Sequence, residues 1–179
     1  MPSLRTVSQR FASTFETSNG FRFSATLSPA EEGSAPNDFS TPRVWLRVDP
    51  ELELDVKTEV QDPTGRWWLL ADHEQSVVAD QPIYRAFRAF RLTHSVSWTR
   101  ATTVTDTLTG LLKSIGDSNL GPLRCVMDPD RTYRDGVLRV MPNALQLVTG
   151  QAIQLGDKID GRVVKRINPV LGVYLAELE

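Results

Sequence analysis

A single cysteine, Cys125, stands in this chain of 179 residues, which excludes an internal disulfide and a zinc site built from several thiolates. A reducing compartment is the natural reading. Histidine is almost as scarce: His73 and His94 are the two present. His73 lies between Asp72 and Glu74, but neighbours on a strand face opposite ways, so these three side chains do not converge on one metal without a loop. A nucleophile elbow, a phosphate-binding glycine loop and a His-Glu-x-x-His helix are missing as well. The sequence therefore gives no catalytic, metal or cofactor residues, and it does not read as an enzyme. No apolar run approaches the roughly 20 residues of a membrane-spanning helix, so no membrane partner is expected. Neither charge sign dominates, with 20 Lys and Arg against 22 Asp and Glu and a net charge of -2. Any electrostatic role must be local.

Alternation of side chains is what the chain has in abundance. In Glu51 to Val60, Leu52, Leu54, Val56 and Val60 fall on even positions, while Glu51, Glu53, Asp55, Lys57 and Glu59 fall on odd ones. Successive strand side chains point to opposite faces, so this parity predicts a strand with one oily and one charged face. Asp62-Pro63-Thr64-Gly65 is turn chemistry and predicts a hairpin onto Arg66 to Asp72. There Trp67, Trp68, Leu69 and Leu70 are apolar on both parities, so either both faces are covered or one tryptophan is left for a partner. Gly20 to Leu27 and Arg43 to Val48 read as further strands. Ile83 to Arg100 reads as one long strand, with a helical start as the competing pattern.

The stretch from Met1 to Phe15 carries Arg5 and Arg10 but no acid, with Leu4, Val7, Phe11 and Phe15 near helical spacing. It has the character of a transit peptide or of an amphipathic docking arm. Ser28 to Pro42 is a proline-rich surface loop. Leu108, Leu111, Leu112 and Ile115 are spaced three, one and three apart, predicting a short helix that Asp106 or Thr107 caps and Gly116 ends. Beyond it come short strands with turns at Asp128-Pro129-Asp130, Asp135-Gly136, Gly156-Asp157 and Asp160-Gly161. Their core is expected to hold Leu138, Val140, Ile153, Leu155, Val164, Val173 and Leu175. The fold class is mainly β: small barrel or sandwich units with one short helix and extended arms. The segments are an arm and loop over 1–42, a β-rich unit over 43–106, a helix and linker over 107–118, and a barrel-like unit over 119–179.

Charge is segregated along the chain. Acid gathers at Glu51, Glu53, Asp55 and Glu59, whereas Ile83 to Arg100 holds Arg85, Arg88, Arg91 and Arg100 with no acid. Three accounts fit: outward faces pairing within one sheet, the acidic face of one copy meeting the basic face of the next, or arginines binding phosphate. These eight residues are the candidate interface. Cys125, between Arg124 and Val126, reads as a small buried hydrophobe.

The run Gln151-Ala152-Ile153-Gln154-Leu155-Gly156-Asp157-Lys158-Ile159-Asp160-Gly161-Arg162-Val163-Val164-Lys165-Arg166-Ile167 resembles a phrase of tailed-bacteriophage neck proteins, the head-closure, stopper or head-tail connector group. Asp62 to Leu70 echoes the same logic. The resemblance implies a non-enzymatic virion protein, assembled in the host cytoplasm, that forms a homo-oligomeric ring between the capsid portal and the tail. Its implied partners are portal or adaptor and tail proteins, with passive contact to DNA in the channel and no cofactor. The apparent doubling of the β unit departs from a simple stopper. A tail or baseplate component, or a small β-barrel module binding a ligand or nucleic acid, stays open beside it.

Overall fold

The computed structural model describes residues 12–29, 44–78, 81–134 and 137–179. All regular structure among them is strand. Two compact units divide at Leu92 and Thr93: one holds Met1–Leu92 with Pro169–Val173, the other Thr93–Asn168 with Tyr174–Glu179. The division falls inside the expected 43–106 segment, and Arg22 to Pro29, expected within the 1–42 arm and loop, pairs with Val44 to Val48 in the same barrel.

In the first unit, β1 (Ser13–Thr17), β2 (Arg22–Pro29), β3 (Val44–Val48), β4 (Glu59–Gln61), β5 (Trp67–Val78) and β6 (Gln81–Leu92) close into a barrel in the order β1-β2-β3-β6-β5-β4. Closure comes from β4 pairing with β1, Thr17 opposite Val60. The core is Phe15, Phe23, Leu46, Val48, Val60, Trp68, Leu70 and Phe87 with flanking alanines, each large side chain contributing roughly 2 kcal/mol by burial. Phe15, given above to an amphipathic arm, is a fully buried strand residue. Met1 to Phe11 of that arm and most of the Ser28 to Pro42 loop lie outside the described residues.

In the second unit, β7 (His94–Thr105), β8 (Leu112–Arg134), β9 (Val137–Thr149), β10 (Lys158–Ile159), β11 (Arg162–Val170) and β12 (Val173–Leu178) close in the order β7-β8-β9-β12-β11-β10. That order is the first one with each strand replaced by the strand six places later. The register agrees too. Phe15 faces Phe23 as Val96 faces Leu123, and Leu27 faces Leu46 as Met127 faces Leu147. Buried Ala25 and buried Cys125 hold the same place. In the loop before the fourth strand, Thr58 N–H donates to Asp55 O as Asp157 N–H donates to Gln154 O. One residue earlier, Lys57 N–H reaches Leu70 O at 2.7 Å and Gly156 N–H reaches Val164 O at 3.0 Å, both from positive φ. The chain is one barrel plan written twice.

Several expectations need correction. The helix over 107–118 is absent: Leu112 onward is strand β8, and Asp106 to Leu111 is the turn joining it to β7. The β-branched run Thr102-Thr103-Val104-Thr105 favours the ladder. Asp106 then closes the turn, its Oδ1 accepting from Leu108 N at 2.8 Å and Thr109 N at 3.1 Å. Ile83 to Arg100 is strand throughout except at Thr93, where one barrel ends and the next begins. Asp128-Pro129-Asp130 is no turn, since β8 runs through it, with a register irregularity at Pro129 where the missing N–H would break a ladder bond. The Asp135-Gly136 turn itself lies outside the described residues.

The stretch Glu51 to Thr58 keeps its alternation without being a strand. Leu52, Leu54, Val56 and Thr58 are half-buried and Glu51, Glu53, Asp55 and Lys57 exposed, yet ladder pairing begins only at Glu59. Lys57 and Thr58 together face Leu70, a bulge that uses up one residue, and Glu59, opposite Leu69 and next to core residue Val60, is buried on the face away from the core. Among the expected core residues, Ile153, Val164 and Val173 are buried, Leu175 is half-buried, and Leu155 is 67% exposed because it sits in the turn before Gly156. The side chains of Leu138 and Val140 are outside the described ones.

Candidate interaction surfaces

The eight charged candidates do not form two opposed faces. Glu51, Glu53 and Asp55 project from the loop ahead of β4, while Glu59 is buried. On β6 the register splits the arginines. Arg85 and Arg91 pair with Val48 and Trp68, two core residues, so they share the inward parity at the ends of the strand. Arg85 Nη1 reaches Leu52 O at 3.5 Å, and Arg91 is exposed. Arg88 pairs with Trp45 on the opposite face, its guanidinium 5.2 Å from the indole ring. Along that same outer face Arg47 lies 5.1 Å over the Tyr84 ring. Trp45, Arg47, Tyr84 and Arg88 thus make an arginine and aromatic ladder, a cation–π arrangement. The alternation of Arg43 to Val48 already placed Trp45 and Arg47 together on the face away from the core; their partners on β6 were not readable from spacing.

Arg100 belongs to a clasp within the second barrel. Its Nε lies 2.7 Å from Asp157 Oδ1 and its Nη2 2.8 Å from Oδ2. Trp98 Nε1 donates to the same Oδ2 at 2.9 Å, and Gln154 N–H at 2.8 Å. Burial alone would push this carboxyl up, but the two-pronged arginine contact, the Gln154 and Trp98 N–H groups and the arginine charge outweigh it and hold Asp157 below the ordinary carboxylate value. Asp62 in the first barrel is built alike. Burial raises it, while donors from Thr64, Trp68 and Arg66 lower it further; its Oδ2 accepts from Trp68 Nε1 at 3.0 Å. Each barrel therefore pins a tryptophan and a turn with one aspartate. The turns at Asp62 and Gly156-Asp157 were visible in the sequence, but the carboxylates' partners were not.

His73 and His94 are exposed. The His73 ring stacks 5.3 Å from Phe87, and His94 Nδ1 is 2.9 Å from Thr93 Oγ1. Among the described residues no three His, Cys, Asp or Glu come close enough to share a metal ion. Cys125 is fully buried in the core with Leu123 and Leu147.

The largest apolar exposure is on the β7–β8 ribbon. Leu108 is 95% exposed, Leu111, Leu112 and Ile115 are mostly exposed, and Val104 is half so. In the first barrel the equivalent corner is closed by Ser18-Asn19-Gly20, with Thr17 N–H donating to Phe21 O at 2.9 Å. The ribbon is an addition to the barrel plan. Its helical spacing concealed it from sequence reading, because the same leucines satisfy an amphipathic helix.

Comparison with family models, with curated proteins and with solved structures returned no match.

Proposed function

We propose that this is a non-enzymatic structural protein of a tailed-phage virion, a ring-forming neck component that joins the capsid portal to the tail. The observation that carries the reading is the ribbon. A barrel plan used twice in one chain closes one corner with three residues and extends the other into a hairpin whose aliphatic side chains stand in solvent. Exposed apolar surface of this kind marks a protein interface. Two supports stand beside it. The run Gln151 to Ile167 that resembles the neck proteins supplies the β10–β11 turn and strand of a closed barrel, and the polar groups of the two clasps serve the fold itself. A tail or baseplate position is the variant of the same reading.

The test is native mass measurement of the purified chain alone and with portal and tail proteins of the same virion. A ring of copies, alone or on the portal, is the expected product. Monomers in every mixture would refute it.

The Trp45, Arg47, Tyr84 and Arg88 ladder favours a second reading, a module that binds single-stranded nucleic acid by stacking and phosphate contact. That reading requires an affinity that falls steeply with salt and drops at least about tenfold in Arg47→Ala and Arg88→Ala.

A further inference from the structure

The β7–β8 ribbon has two long edges of different character. On β8, between Leu112 and Gly121, the pairing to β7 skips Ile115 and Leu120, so two bulges interrupt the strand. That edge also carries Lys113 and Asp117, the latter 2.7 Å from Lys158. Bulges and charges are the devices by which natural sheets block an edge against further strands. The β7 edge has none of them. Beyond Thr99, where β10 stops pairing, Ala101-Thr102-Thr103-Val104-Thr105 meets only β8 among the described residues. It is uncharged, free of proline and glycine, and rich in strand formers.

The tip adds Leu108, Leu111, Leu112 and Ile115. A lipid bilayer does not suit this edge, because hydrocarbon would strand its unpaired N–H and C=O groups. A protein strand would satisfy them, with the tip side chains buried beside it. The chain itself offers such a strand. In the first unit, β5 pairs with β4 only as far as Leu69 and Asp72 N–H donates to Leu171 O, so among the described residues His73 to Val77 of the β5–β6 hairpin pairs with β6 alone, and Val77 is 52% exposed. The two edges differ in sequence, so contact between them is head-to-tail, the type that makes a ring where its rotation closes. An uncharged receiving edge also meets Glu74 of that hairpin without like-charge opposition.

We infer that the β7 edge and leucine tip of one copy receive a strand of a second copy of this chain, and that this contact drives self-association. The inference rests on the ring reading above and names the surface that makes the ring.

Two variants of the full chain test it. One is Leu108→Ser, Leu111→Ser, Leu112→Ser and Ile115→Ser together; the other is Thr103→Glu, which puts on the receiving edge a charge of the same sign as Glu74 of the incoming strand. Sedimentation velocity across a concentration series reads association, and near-ultraviolet circular dichroism checks the barrels. The expected result is concentration-dependent assembly of the parent and at least about tenfold weaker assembly of both variants, with unchanged dichroism. If the parent assembles and the variants assemble equally well, the ribbon contact is overturned while the ring reading stands. If the parent alone stays monomeric at every concentration, the ribbon contact is again overturned, and the ring reading is then decided by the mixture with portal and tail proteins. Should the quadruple variant misfold, Thr103→Glu decides.

Discussion

Lys57 and Gly156 occupy the same step of the two barrels, each donating its N–H across a bulge with φ of 76 and 85. The left-handed region costs a residue with a Cβ roughly 1–2 kcal/mol, so the second barrel meets the requirement with glycine and the first with strain. Nothing lies within 4 Å of a Cβ built on Gly156, which leaves the backbone as the only source of cost. Gly156→Ala is therefore expected to lower unfolding free energy by about 1 kcal/mol, and Lys57→Gly to raise it by somewhat less, since glycine also gains entropy in the unfolded chain. Urea unfolding of both variants reads this directly. Negligible effects at both positions would mean that the left-handed conformation carries no strain at this step of the barrel. The glycine turn was legible in the sequence at 156. Its counterpart at 57 was not, because lysine hides a positive φ that only the register reveals.

Alternation was a reliable guide to burial and an unreliable guide to pairing. From Glu51 to Thr58 the even side chains do turn inward, and Leu52 and Leu54 pack against the first core, yet the backbone makes no ladder there. Period two reports which side of the chain faces the core, and a loop laid along a barrel mouth satisfies it as well as a strand does. The error at Leu108 to Ile115 has the opposite form. Spacings of three, one and three fit one face of a helix, yet these residues ring a hairpin tip with no core beneath it. A ribbon that buries so little should contribute little to stability. Replacing residues 102–116 by Asn-Gly joins Ala101 to Asp117, which already face each other, through a two-residue turn suited to hairpins. It keeps the Arg100–Asp157 and Asp117–Lys158 pairs. The shortened chain is expected to unfold within about 0.5 kcal/mol of the parent and to self-associate less; a loss of several kcal/mol would show the ribbon to be part of the fold.

At the scale of the whole chain, the β class and the doubling were readable because both barrels spell the same events: alternation, a turn with aspartate, a strand. The clasps were not readable, since Asp157 meets Trp98 and Arg100 only after the barrel closes. They give both units one shared sensitivity. Asp62 and Asp157 each have a carboxyl held below the usual 3.8, so the unfolded chain takes up their protons first as pH falls. Their stabilisation is complete above the unfolded value of about 4 and is lost progressively below it, toward the folded values. Asp106 is lowered as well, by the N–H groups of Leu108 and Thr109, but on an exposed turn. Unfolding free energy is accordingly expected to be flat from about pH 7 to about pH 5 and to decline below about pH 4. Asp157→Asn, which gives up the two-pronged contact with a part-exposed Arg100, should cost about 2 kcal/mol at neutral pH, between the values for exposed and buried charge pairs. Asp62→Asn loses hydrogen bonds but no ion pair and should cost about half that. Both variants should show a shallower acid decline than the parent, and the double variant the shallowest. Denaturant titrations between about pH 2.5 and pH 7 measure each slope, and a parental acid slope in the double variant would place the sensitivity on other carboxylates.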